Sequence, residues 1–292
     1  MSESKLKPSE ASQFWSKNLD PQNLERGGKT RPSISIEDEI AFADTPDVRF
    51  AKSWLLNSPL LTSPSASPSL PSTPQATSLQ PQAFVIDLGA GLGAVSFVFA
   101  RAGARVIAVD SSLERLRELC RRAKEAGCED KIFPVVAAAE SLPFKDGSIP
   151  ALYTKSVLIH TDLPKATSEI RRILADHGRA ALIEPQPGNP FAWFYRKTLA
   201  PKEWQSITHY FDAKTHQFCI DQIGEGSTRH FYLFSFLAFA FQFGWANSGL
   251  FRLFLKLILP IDRLLFRILP VTRAMAWFGV NAIEKMAPRP ER

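Results

Sequence analysis

Between residues 84 and 183, short apolar runs alternate with stretches of helical periodicity, and no other feature of the chain constrains its fold as much. Parallel neighbours need a long crossover, and crossover helices cover both faces of a sheet. The pattern predicts an α/β fold: a doubly wound, Rossmann-like, mostly parallel sheet with helices on both faces. Strands are expected at 84–88, 105–109, 133–137, 151–155 and 180–183. The segment after the second strand carries helix signals. Ser111 and Glu114 fit an S-x-x-E capping box, Leu113, Leu116, Cys120 and Ala123 share one face, and Gly127 supplies the stop.

This core is expected to span 83–190. Residues 1–57 are polar with apolar islands at Phe14, Trp15 and 40–42, and DVRFAKSWLL has amphipathic spacing, so an N-terminal helical cap is expected there. Residues 58–82 are rich in proline and serine, carry no charge, and read as a flexible linker. In 191–292 no further strands emerge by alternation, which predicts a mainly helical, apolar substrate cover.

VIDLGAGLGAVS, residues 85–96, lies where the first strand ends and the next helix begins, the place at which open α/β sheets bind ligands. Gly89, Gly91 and Gly93 allow a sharp turn and close backbone approach, and the helix start offers free N–H groups. Gly89, Gly91 and Ala94 also satisfy the dinucleotide pattern GxGxxG/A, so spacing alone does not separate NAD from other adenosine cofactors. Asp87 would repel a pyrophosphate but suits the ammonium of an amino-acid moiety, which favours S-adenosylmethionine. Asp110, 21 residues after Gly89, can accept ribose hydroxyls.

At these residues the sequence resembles the class I S-adenosylmethionine-dependent methyltransferases, particularly the branch that methylates quinones and sterols. VIDLGAGLG is similar to the family's first motif and RVIAVDSS to its second strand with the ribose-binding acid. AAAESLPFKDGSIPALYTKSVLIH resembles the adenine-side loop and fourth strand, and EIRRILADHGRAALIEP the helix and fifth strand. The resemblance implies that Gly89, Gly91 and Gly93 line the methionine part, Asp110 the ribose, and Ala139 with Glu140 the adenine edge. Ala90, Ser111 and Lys155 complete the cofactor-side candidates. Two positions depart from the family pattern: Ala138 stands where an acid is common, and Pro150 where an aspartate precedes the fourth strand.

Methyl transfer from a sulfonium is an in-line displacement governed by positioning, so no signature base is required. Candidate catalytic residues are His160, after the fourth strand, and His209 with Tyr210 in SITHYFDAKTH. The alternative for His160 is a cap for the helix beginning near Asp162. Glu184 reads as a loop-anchoring acid. The five histidines show no metal-ligand spacing, so no metal is expected.

The acceptor side is read from the apolar tail. FYLFSFLAFAFQFGW, 231–245, holds six phenylalanines and no charge, and suggests a buried helix or, less readily, a membrane span. Beyond it, Arg252, Lys256, Arg263, Arg267 and Arg273 lie among leucines and phenylalanines, as in membrane-surface segments broken by Pro260 and Pro270. The net charge of +6 permits an acidic partner. Cations embedded in aliphatic residues favour peripheral membrane contact through 231–280 over nucleic acid. Cys120, Cys128 and Cys219 form no CxxC pair, and the first 20 residues lack a signal-peptide core, so a cytoplasmic location is expected. The expectation is a methyltransferase for a lipophilic small molecule or lipid. Its rivals are an NAD-type oxidoreductase and a non-catalytic binding or scaffold protein with a degenerate cofactor site.

Overall fold

The computed structural model describes residues 34–62, 84–198 and 208–287. The expectations for Phe14, Trp15 and most of the 58–82 linker lie outside the described residues.

Two helices open the described chain, α1 (Ile36–Ala43) and α2 (Pro46–Leu56). Ser35 caps α1 by accepting the Asp38 N–H, and Pro46 opens α2, where a missing N–H costs no helical bond. The alternating core follows: β1 (Phe84–Leu88), α3 (Ala94–Arg101), β2 (Arg105–Asp110), α4 (Leu113–Glu125), β3 (Ile132–Val136), β4 (Ile149–Lys155), α5 (Leu163–Ile173) and β5 (Leu174–Pro185). After α6 (Pro190–Thr198) and α7 (Ala213–Ile223) come β6 (Glu225–Phe231), α8 (Ser248–Ile268) and β7 (Phe278–Glu284). One seven-stranded sheet results, in the order β3-β2-β1-β4-β5-β7-β6. β1 to β5 run parallel to one another, and β7 runs antiparallel between β5 and β6.

Strand residues feed two apolar layers in alternation. Val85, Ala151, Tyr153, Ala181 and Ile183 join the layer under α1 to α4, whereas Ile86, Leu152, Ala180 and Leu182 join the layer under α5 and α7. Each fully buried Leu or Ile side chain contributes about 1.5–3 kcal/mol by leaving water. The N-terminal helices belong to the first layer: Val48, Ala51 and Leu55 of α2 are fully buried. Arg101 reaches both carboxylate oxygens of Glu37, and Arg122 pairs with Glu39, so α1 is tied to α3 and α4.

Several expectations are corrected. The cap of α4 is Ser112, whose Oγ accepts the Arg115 N–H, one residue later than the Ser111 capping box. The C-terminal region is mainly helical, but it also contains the two strands that alternation did not reveal. β6 is the sheet edge and mostly exposed, so it lacks an apolar face; in β7, Phe278 to Ile283 are all buried, so no polar face interrupts it. The phenylalanine-rich stretch is not one helix. It ends β6, makes a turn at Ser235–Ala238 and a short helix at Phe239–Phe243. There Tyr232, Phe251 and Trp277 pack edge-on around Phe239 at centroid distances of 5.1, 5.0 and 4.7 Å. α8 runs through Pro260 without a break, and Pro270 begins a separate turn.

Candidate active site

The chain winds outward from β1 through β2 to β3 and then returns to β4 on the other side of β1, so the carboxyl ends of β1 and β4 flank a topological switch point. A cleft of about 600 Å³ opens there. The turn after β1 holds Gly89, Gly91 and Gly93 at φ 76°, 55° and 90°, a region glycine enters without steric cost. A Cβ on Gly89 would stand 2.1 Å from Val157 Cγ2, so the turn and the loop after β4 meet at a distance only glycine permits.

Asp110, at the carboxyl end of β2, accepts the Gly91 N–H on Oδ2 and the Ser112 N–H on Oδ1, both at 2.9 Å. These bonds fix the carboxylate against the cleft and leave each oxygen a further lone pair. Arg115, from the first turn of α4, lines the same wall; burial pulls its guanidinium pKa down and Asp110 opposes that pull. Across the cleft, Glu140 Oε1 accepts the Asp162 N–H at 2.9 Å, which ties the loop after β3 to the start of α5. Asp162 itself caps α5 by accepting the Lys165 N–H. Ser156 sits at φ 57°, an uncommon conformation for a residue with a side chain, and carries the cleft wall round from Lys155 to Val157.

Two buried acids support this wall from behind. Glu184 accepts the N–H groups of Leu158 and Val157 at 2.9 and 3.2 Å, and burial raises its carboxyl to about 8 against those bonds. Asp87 accepts the Ser96 hydroxyl at 2.6 Å; burial raises it to about 7, and Asp110 adds to the rise. On the N-terminal side, Lys155 Nζ lies 2.8 Å from Asp47 Oδ2, and Tyr232 donates its hydroxyl to Asp47 Oδ1 at 2.5 Å. Burial alone would raise the Asp47 carboxyl, but Lys155 and the hydrogen bonds outweigh it and hold the group below the usual aspartate value. Helix α2 is thereby pinned to the cleft wall.

The cleft brings together Gly89, Gly91, Asp110, Ser111, Ala139, Glu140, Lys155 and His160. Asp87 lies beneath the turn rather than on the wall, and Gly93 caps α3, with Ala90 between them in the turn. His209 and Tyr210 are outside the cleft lining. The His209 N–H donates to Ile159 O at 3.0 Å, and the Arg196 guanidinium lies 3.8 Å over the Tyr210 ring. Sequence reasoning missed Arg115, Val157, Thr161 and the Asp47–Tyr232 support. Arg115 reads as one more cation on an exposed helix face, and Asp47 and Tyr232 stand 185 positions apart with no motif joining them.

Fold and cleft together define a doubly wound domain with an open cleft at its switch point. Residues 86–182 match the family described as "Methyltransferase domain". The sarcosine/dimethylglycine N-methyltransferase of Halorhodospira halochloris is 30% identical over 163 residues, covering 48% of this chain and 57% of that protein. The ubiquinone/menaquinone biosynthesis C-methyltransferase of Paracoccus denitrificans is 31% identical over 148 residues, covering 48% and 58%. The chain thus spans little more than half the length of these curated relatives. In three dimensions, geranyl diphosphate C-methyltransferase from Streptomyces coelicolor, solved with Mg2+, geranyl-S-thiolodiphosphate and S-adenosyl-L-homocysteine, aligns at TM-score 0.58 and 16% identity over 98% of this chain and 100% of that one. Residues 86–182 carry a methyltransferase domain of the class I S-adenosylmethionine-dependent kind. S-adenosylmethionine is the cofactor of that class, and the cleft fits it: glycines where a Cβ would intrude, and a fixed carboxylate with spare acceptor capacity at the end of β2.

Proposed function

We propose that the protein transfers a methyl group from S-adenosylmethionine to a lipophilic small molecule or lipid, working peripherally at the cytosolic face of a membrane. The observation that carries the transferase reading is the cleft at the switch point, with Asp110 locked by Gly91 and Ser112 beside a glycine turn. The bound cofactor supplies an electrophilic methyl group on sulfur. In this reading Asp110 accepts the ribose hydroxyls, Ala139 and Glu140 border the adenine, and the cations Lys155 and Arg115 meet a carboxylate; all five line the cleft. His160 stands on the same wall, and an imidazole can take a proton from a phenol or enol acceptor near neutral pH.

The acceptor class is supported by α8. Leu253, Leu257, Ile261, Leu264 and Ile268 are 48–61% exposed along one face, with the exposed cations Arg252 and Lys256 beside them. An apolar stripe bordered by basic side chains suits the boundary between headgroups and acyl chains. No helix among the described residues is long and apolar enough to cross a membrane, so surface contact is the geometry proposed.

The test is calorimetric titration with S-adenosylhomocysteine, with NADH alongside. Micromolar binding of the former alone, weakened at least tenfold in Asp110→Ala, is the expected result. Unchanged affinity in that variant would remove the ribose assignment, and binding of NADH alone would move the protein to the oxidoreductases. For the membrane, Leu257→Asp/Leu264→Asp should leave the protein in the supernatant of a liposome sedimentation, because both positions face outward. Retained sedimentation would reject the α8 contact.

A further inference from the structure

A second recess of about 970 Å³ lies between α2, the edge strand β6 and the inner flank of α8. Arg49, Arg229, Arg263, Arg267 and Arg273 all line it, and Asp262 is the one acidic residue in the lining. Asp262 is fully buried and committed elsewhere. Its oxygens accept the N–H groups of Leu233, Phe234 and Ser235 at 2.9, 2.9 and 3.1 Å and the Ser235 hydroxyl at 2.5 Å. Arg49 pairs with Asp44 at 3.0 Å. Five arginines against these two carboxylates leave three uncompensated positive charges around one concavity.

Three of the arginines, Arg49, Arg229 and Arg273, are also held in place. Arg229 lies 4.4 Å over the Phe50 ring, and Arg273 donates Nε to Phe266 O at 2.9 Å. Arg49 likewise commits its Nε to Asp44, and for Arg49 and Arg273 the terminal guanidinium nitrogens make no hydrogen bond among the described residues. Arg263 and Arg267 have no ion-pair or hydrogen-bond partner among the described residues and stand one helical turn apart, a like-charge pair that destabilises a helix when nothing lies between. His230, half-buried in the same lining, is driven down to about 4, first by burial and then by Arg273, so near pH 7 it is neutral and adds no sixth positive charge. Guanidinium forks match phosphate oxygens two at a time, and a concave array of them is a phosphate receptor in search of its anion.

We infer that this recess binds a phosphate-bearing anion, through Arg263 and Arg267 on one side and Arg49, Arg229 and Arg273 on the other. The site is separate from the cleft, shares no lining residue with it, and does not rest on the methyl-transfer reading. The same chemistry is offered by a soluble diphosphate and by the headgroup of an anionic phospholipid.

The experiment uses the full chain and two double variants. Arg263→Gln/Arg267→Gln removes two positive charges from the recess and keeps good helix formers on α8, while Arg117→Gln/Lys124→Gln removes two exposed positive charges from α4. Inorganic pyrophosphate is titrated calorimetrically, and sedimentation is measured with phosphatidylcholine vesicles with and without phosphatidic acid. Pyrophosphate binding that weakens at least tenfold in the recess variant and less than twofold in the α4 variant would identify a site open to soluble diphosphates. Sedimentation that requires phosphatidic acid and is lost only in the recess variant, without pyrophosphate binding, would identify the headgroup. Binding of neither, or equal loss in the two variants, would overturn the inference. Circular dichroism melting of both variants establishes that each is folded, and S-adenosylhomocysteine affinity should be the same in all three proteins.

Discussion

Replacing Asp47 by Asn tests the claim that the N-terminal helix is part of the cleft. The Asp47 side chain is fully buried, whereas that of Lys155 is 24% exposed. Removing one partner of a fully buried ion pair costs about 3–5 kcal/mol, because the remaining charge is stranded. Here Lys155 faces the cleft, where water can reach it, and it keeps the Phe278 ring 5.0 Å away. Asn also retains an oxygen for the Tyr232 hydroxyl. The expected loss therefore falls below that range, at about 2–3 kcal/mol. Urea unfolding at pH 7 of the parent, Asp47→Asn, Lys155→Met and the double variant measures it. The two single losses should exceed the double loss by at least about 1 kcal/mol, as for residues in direct contact. The pH dependence has a definite sign. Because the folded Asp47 carboxyl lies below its unfolded value of about 3.9, its stabilisation is present above that pH and is lost as pH falls through the folded value. The acid limb of the parent should thus be steeper than that of Asp47→Asn. A loss under about 0.5 kcal/mol, the range of neutral surface changes, or additive single losses would refute the argument.

Three further outcomes follow from buried geometry. The folded value of Glu184, about 8, exceeds its unfolded value of about 4.3, so its contribution is full below the latter and is lost as pH rises toward 8. Glu184→Gln should flatten the alkaline decline of stability, leaving the smaller decline due to Asp87; an unaltered slope in pH-dependent urea midpoints would count against a protonated Glu184. A Cβ on Gly279 would lie 2.3 Å from Nε2 of the buried His216, so Gly279→Ala should cost about 1–3 kcal/mol by overpacking and lower the Tm. A parental Tm would show that the ring can move aside. Pro260 is exposed in the interior of α8, so Pro260→Ala should restore a helical hydrogen bond and raise stability by about 1–3 kcal/mol, with a higher urea midpoint as the readout. No gain would mean that the helix is shaped around the ring.

The parallel half of the sheet was legible because β1, β2, β4 and β5 are largely buried on both faces, and the crossover helices α4 and α5 carry side-chain caps and an apolar stripe. β1 to β5 all fall on the expected apolar runs. The turn at Gly89, Gly91 and Gly93 was legible because backbone geometry there admits little but glycine. The C-terminal strands were not, for opposite reasons: Glu225–Phe231 is an exposed edge, and Phe278–Glu284 is almost wholly buried, so neither alternates. Long-range polar contacts left no trace either. Nothing in DVRFAKSWLL distinguishes Asp47, which enters the interior, from a solvated acid at a helix start, and the tyrosine that receives it lies in a stretch that reads as uniformly apolar.

These contacts bear on where the folding unit ends. The methyltransferase match covers 86–182, but the first apolar layer is completed from outside it. Val48, Ala51 and Leu55 of α2 pack against the sheet, and Phe278 and Val280 of β7 join the same layer. Successive positions of α2 face different neighbours: Asp47 holds the cleft lysine, while Arg49 and Phe50 line the arginine recess. A chain trimmed to the matched segment would expose the α2 and β7 contact surfaces, leave β5 as a bare edge, and strand Lys155 without its carboxylate. The smallest fragment with an intact cleft must therefore reach from α1 to the end of β7.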